Sequence, residues 1–144
     1  KTACFTNRGQ AGFIIDGVLS GGAIDIVSGL RVGGRSVSTD AFQSVTVTLP
    51  SLNAWHHVVE ILNITGDNIT VYVDGVQQTS TAVTFGNTTY TQGTPTTETD
   101  NIGAYTSPVA IYFNGLIDEV RVYNRTLSAS DVLKLFQAGY TKFK

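Results

Sequence analysis

Asn68-Ile69-Thr70-Val71-Tyr72-Val73-Asp74-Gly75 alternates apolar and polar side chains and ends on a turn dipeptide. In an extended chain Ile69, Val71 and Val73 fall on one side, and Thr70, Tyr72 and Asp74 on the other. That is the pattern of a half-buried strand. Asp-Gly is a dipeptide that closes two-residue hairpins, because both central residues of such a turn need positive φ. Residues 76–79 then form the returning strand. Upstream, 55–62 is another strand, joined to the first by Thr65-Gly66-Asp67, with Trp55, Val59 and Ile61 alternating on one face and His57 among them.

The same reading extends toward both ends. Strands are expected at 3–7, 11–16, 23–27, 30–37 and 44–49, punctuated by Gly17, Gly21-Gly22, Gly29 and Gly33-Gly34. Short strands every 8 to 12 residues or so point to an all-β sandwich or barrel. Residues 79–99 hold 10 Thr, which suits one irregular strand near 82–85 and then a long exposed loop. No linker or internal repeat divides the chain, so 1–144 reads as a single domain.

One helix is expected near the C-terminus. Ser128 is its N-cap, and Asp131 three residues later completes a capping box with Asp in place of Glu or Gln. Leu127 and Val132 form a hydrophobic staple across the cap. Val132, Leu135 and Phe136 make one apolar stripe, and Gly139 stands where the helix should stop. A helix of about three turns is marginal alone, so its stripe must dock on the sandwich.

Composition narrows the function classes. Charged residues are 14% of 144, against about 25% in an ordinary soluble domain, and the net charge is −2. With no Lys/Arg cluster there is no electrostatic footprint for nucleic acid. No apolar run approaches the roughly 18 residues of a membrane span. There is no Met, so Lys1 is not a translation start. Cys4 is alone, which rules out an internal disulfide and suits a half-buried strand thiol, with a bridge to another chain as the alternative. Asn63, Asn68, Asn87 and Asn124 each begin an Asn-x-Thr sequon. With low charge and abundant Thr they suggest an extracellular or cell-surface glycoprotein.

Four ordered motifs carry a resemblance: Trp55-His56-His57-Val58-Val59, then 71–75 (Val-Tyr-Val-Asp-Gly), then 101–104 (Asn-Ile-Gly-Ala), then 113–128 with its central Leu-Ile-Asp-Glu-Val-Arg-Val-Tyr. In this order they resemble the laminin G-like jelly rolls of the concanavalin A-like superfamily, in the pentraxin-related bacterial and archaeal variety. The resemblance is good over 55–138 and loose over 1–54. It implies an all-β antiparallel two-sheet jelly-roll sandwich with one short C-terminal helix, but fold alone does not fix function. Relatives usually open with two strands that precede a segment like the one beginning at Lys1. Their absence here implies a trimmed fragment, a strand register shifted by one, or completion of an open sheet edge by a neighbouring chain.

Catalysis finds little support. Glycoside hydrolases need two carboxylates across a cleft. Asp118 and Glu119 are adjacent in an expected strand and so point to opposite faces. No Ser sits in a nucleophile-elbow context, and His56 and His57 diverge for the same reason as the two acids. No catalytic residue is therefore assigned. Asp118 shares a face that reads as inward with Leu116, Val120 and Val122. A carboxylate there must be paired, either in a structural network with Trp55 and His57 or as a calcium ligand. Relatives often hold calcium at one rim, and Asp40, Glu98 and Asp100 lie in expected loops that could offer oxygen ligands, whereas the acids expected elsewhere are replaced by Gly33 or Gly34 and by 104–108. Tyr90, Tyr105 and Tyr112, in or beside loops, are the aromatics available for stacking on a sugar. The expectation is a non-catalytic adhesion or carbohydrate-binding module that takes a glycan or a surface protein. The alternative is a structural subunit of a pilus-like filament or surface layer.

Overall fold

The computed structural model describes residues 3–6, 12–20, 23–36, 40–87, 101–105 and 111–140. They form β1 (Ala3–Thr6), β2 (Gly12–Ser20), β3 (Ala23–Arg35), β4 (Gln43–Val47), β5 (Val58–Asn63), β6 (Asn68–Val73), β7 (Val76–Ala82), β8 (Asn101–Ile102), β9 (Ala104–Tyr105), β10 (Ile111–Tyr112) and α1 (Ala129–Tyr140). The strands make a five-stranded sheet in the order β4-β3-β2-β1-β8, a three-stranded sheet β5-β6-β7 and a two-stranded ribbon β10-β9. Every pairing is antiparallel.

The two larger sheets share a core. Leu30 and Val32 of β3 and Val47 of β4 meet Ile69, Val71 and Val73 of β6, with Phe85 closing the cluster. The alternation in 68–75 therefore works as expected, with its apolar side against the opposite sheet. The turn after it has φ 52 at Asp74 and 77 at Gly75, both positive as the hairpin requires. Phe85 reaches the core because its amide and that of Val83 are tied to the preceding turn. Val83 N–H donates to the Asp67 carbonyl (2.9 Å) and Phe85 N–H to Asp67 Oδ1 (3.0 Å).

Three expectations about strands change. The two strands foreseen at 23–27 and 30–37 are one, β3. Its register with β2 slips after Gly17, where Gly17 faces Leu30 but Val18 faces Asp25. The extra residues bulge out, and Gly29 at φ 135 accommodates the bulge. The irregular strand foreseen at 82–85 is instead the end of β7 at Ala82 and a non-strand stretch beyond it. Residues 116–123, read as a strand with an inward face, are neither strand nor helix and belong to no sheet, and all eight are exposed.

The helix forms where its cap dictates. Asp131 N–H donates to Ser128 Oγ and Ser128 N–H to Asp131 Oδ2, both at 3.1 Å, which is the reciprocal pair of a capping box. Arg125 adds an ion pair to Asp131 at 3.0 Å. These bonds hold the Asp131 carboxyl down at about 2. The helix does not stop at Gly139 but runs one residue further. Its stripe docks on the outer face of the three-stranded sheet, where Leu127 and Val132 pack with Ile61 and Tyr72, and Leu135 and Val59 flank them. β6 is thereby buried on both faces. Gly75 lies directly under the helix, since a Cβ there would come within 3.0 Å of the Phe136 ring.

Val132 is fully buried and Leu133 is 44% exposed. Val132→Ala should destabilise by about 2 kcal/mol, the loss of two buried methyl groups before any cavity cost, while Leu133→Ala should change little. Ser128→Ala should cost about 1 kcal/mol through the cap. Denaturant unfolding checks all three.

Candidate functional site

The β5–β6 register sums to a constant, with Val58 opposite Val73 and Asn63 opposite Asn68. Continued outward by one step, it brings His57 beside Asp74. Asp74 is the hub of the resulting cluster. Its N–H donates to the His57 carbonyl (2.8 Å), its Oδ1 accepts the His57 N–H (2.9 Å), and its Oδ2 lies 2.8 Å from His56 Nδ1. His56 Nε2 in turn is 3.1 Å from Ser51 Oγ and 3.0 Å from the Ser51 carbonyl. Ser51, His56 and Asp74 thus have the connectivity of a hydrolase triad. The surroundings point to another role. The Ser51 carbonyl shares Nε2 with the hydroxyl, and the carboxylate is also engaged by a backbone amide. The imidazole is a strut that holds loop 51–57 onto the β6–β7 turn.

His57 faces the helix. Its ring centroid is 6.0 Å from that of Phe136, and its Nδ1 is buried without a partner. Burial lowers its pKa; Asp74 opposes that shift, and the Arg121 charge adds to it. Of the network foreseen among Trp55, His57 and Asp118, the acid does not stand on a buried face. Trp55 is 43% exposed. Asp118 is exposed, and its Oδ1 accepts only the next amide, from Glu119, at 2.7 Å. The reason is that, among the described residues, no strand pairs with 116–123 to turn Asp118 inward.

Two buried acids escaped sequence reasoning. Asp16, 1% exposed, takes a bidentate pair from Arg31, Nε to Oδ1 at 2.7 Å and Nη2 to Oδ2 at 2.5 Å. The two residues stand opposite one another on β2 and β3, a register no local pattern reveals. Glu60 lies between Val58 and Leu62, which pack against the inter-sheet core. Both its carboxylate oxygens are buried without hydrogen-bond partners. Burial drives its pKa well above 4.5; the polar backbone of Gly33 offsets part of the rise, and the nearby Asp16 charge adds to it. The signal that could have found Glu60 is its place in an apolar alternation.

The remaining candidates divide by location. Asp40 accepts from the Ser36 hydroxyl and from Asn87 Nδ2 (3.3 Å). Both its oxygens are engaged by donors, and it gathers no further acid: among the described residues no group of three or more His, Cys, Asp or Glu comes together. Glu98, Asp100 and Tyr90 lie outside the described residues. Tyr105 and Tyr112 fall on β9 and β10, where Tyr105 pairs with Ile111 and Tyr112 with Ala104. Of the sequon asparagines, Asn87 and Asn124 are exposed and Asn63 and Asn68 are half-buried. Asn63 Oδ1 accepts the Gly66 amide (3.0 Å), and Asn68 Oδ1 accepts hydroxyls of Thr70 (2.7 Å) and Ser80 (3.2 Å). Among the described residues no helix is long and apolar enough to cross a membrane.

Comparison with known proteins places this geometry. The laminin G-like family model described as Concanavalin A-like lectin/glucanases superfamily matches residues 2–133. No curated protein matches the sequence. Among solved structures, an S-layer domain-containing protein from Clostridium thermocellum ATCC 27405 (its residues 221–444) is 19% identical, with a TM-score of 0.44. That alignment covers 90% of this chain and 64% of the other.

Because Glu60 is protonated more readily in the folded chain than in the unfolded one, folding takes up a proton above about pH 4.5, and stability falls as pH rises. Glu60→Gln should therefore raise the melting temperature at pH 7, with the gain fading as pH drops below 4.5. Asp74→Ala should cost about 2 kcal/mol or more, since it strips the strut and the His57 amide together. Ser51→Ala should cost little. Thermal melts from about pH 3.5, below the ordinary carboxyl pKa, up to about 8, the upper end of the usual range of maximal stability, report the first, and denaturant curves the others.

Proposed function

The chain belongs to the Concanavalin A-like lectin/glucanases superfamily, and we propose that it serves there as a non-catalytic extracellular binding module, residues 1–144 acting as one domain that recognises a glycan or a protein through its rim loops. The observation that carries this reading is the β9–β10 ribbon. Its register pairs Tyr105 with Ile111 and Tyr112 with Ala104, so the two tyrosine positions fall on opposite faces of a ribbon that belongs to neither large sheet, one aromatic position to each face. Next to them in sequence lies the Thr-rich stretch with Tyr90. By contrast, the charged groups at the Asp74 hub, in the Asp16–Arg31 pair and at the helix cap are spent on cross-links. Laminin G-like domains are in general binding modules rather than enzymes, in keeping with that division.

Surface location is part of the same reading. Asn124 is exposed and outside the sheets, and it is the sequon best placed to carry a glycan, with Asn87 next. The oxygens of Asn63 and Asn68 are tied to their own hairpin. Calcium, if it contributes, would draw on Asp40 together with Glu98 and Asp100.

A second reading is favoured by the exposed stretch 116–123, which no sheet includes. It makes the chain a structural subunit of an extracellular assembly, such as a pilus-like filament or surface layer, joined through an open strand.

A glycan array probed with and without calcium should show a binding class, and Tyr105→Ala/Tyr112→Ala should abolish that signal with an unchanged melting curve. An array blank in both conditions, with no protein partner found, counts against the binding module. Intact mass of native material should show added hexose-type mass that Asn124→Gln removes.

A further inference from the structure

Five large apolar side chains crowd one short stretch. Leu116 is 76% exposed, Val122 66%, Val120 46%, Tyr123 41% and Ile117 36%. A soluble chain rarely leaves such a contiguous patch open unless it meets something. The stretch 116–123 is neither helix nor strand, and no sheet includes it. Glu119 stands at φ 54, and its amide is taken by the neighbouring Asp118 side chain. One left-handed residue thus interrupts an otherwise alternating ribbon, with a local side chain standing where a strand neighbour's carbonyl would be. Arg121 Nη2 lies 2.5 Å from Glu119 Oε2, which puts those two charges on the same side.

The order of residues is self-complementary. In an antiparallel pair centred on Val120, Val120 meets Val120, Glu119 meets Arg121 on both sides of the axis, and Ile117 meets Tyr123. On one face opposite charges meet twice between two Ile117–Tyr123 pairs, combinations that stabilise a ladder; on the other face Val120 meets its own copy between two Asp118–Val122 pairs. Centring one residue earlier would set Glu119 against Glu119. Identical strands related by a twofold axis form an isologous, closed interface, and strand addition at an open edge supplies backbone hydrogen bonds as well.

We propose that residues 116–123 are a homotypic docking strand, through which two copies of this chain pair antiparallel about a twofold axis at Val120. Pairing draws Glu119 back into extended backbone and exchanges its intrachain ion pair for one across the interface. The proposal deepens the assembly reading above and rests on it.

Sedimentation velocity on the whole chain tests it. The unmodified protein should show a concentration-dependent dimer. Glu119→Arg alone, or Arg121→Glu alone, should weaken dimerisation about tenfold or more, because two favourable cross-strand pairs become two repulsions. An equimolar mixture of these two variants should restore the dimer, since each then carries two like charges that oppose the other's. Val120→Pro should abolish it with an unchanged circular dichroism spectrum, as this side chain lies outside the monomer core. Association insensitive to all three substitutions would overturn the ribbon while leaving an assembly built elsewhere. Monomers at the highest soluble concentration would overturn the ribbon and the assembly reading together.

Discussion

Burial of β6 on both faces is the constraint on which the rest of the structure depends. Ile69, Val71 and Val73 seal the space between the two large sheets, while Tyr72 lies under the helix. A strand with one face in water could tolerate loose partners. One with neither face in water needs a sheet opposite, a helix behind and tight turns at both ends. The turn after it shows how little room remains: Gly75 has positive φ and sits against Phe136, so backbone conformation and packing both demand glycine there.

The polar cluster follows from that crowding. Once the helix rests on the β6–β7 turn, the loop before β5 must be pinned beside it. Asp74 does this with one carboxylate, gripping a backbone amide and an imidazole. The resulting Ser51–His56–Asp74 chain has the outline of a catalytic site and the bonding of a brace. Connectivity alone is a poor guide to chemistry; what else each atom is bonded to decides the role.

The surface divides in the same way. Outside the two core clusters and the Asp74 brace lie the β9–β10 ribbon and the exposed stretch 116–123. We read the first as the place for a ligand and the second as the place for another copy of the chain. They lie on different segments, so binding and assembly need not compete.

Much of the fold was legible from local pattern. The alternation in 68–75, the Asp-Gly turn and the Ser128–Asp131 box each depend on backbone geometry within a few residues, and each stands in the structure as expected. Had the β5–β6 hairpin register been continued outward, it would have put His57 beside Asp74. Where the reading went astray, the deciding partner was remote. Asp118 shares its period with Leu116, Val120 and Val122, yet is exposed, because alternation says which residues share a face and not whether anything covers it. Tyr72 sat on the expected solvent side until a helix some 60 residues on, about the length of a small domain, came to lie over it. Asp16 meets Arg31 only through the register of β2 with β3, and Glu60 is dry only because a second sheet closes over β5. The amino-acid sequence by itself determined the strands, turns and cap, since short-range sterics and hydrogen bonds write those. Tertiary structure alone decided which faces are dry and which charges are paired, since desolvation depends on neighbours that local order does not name.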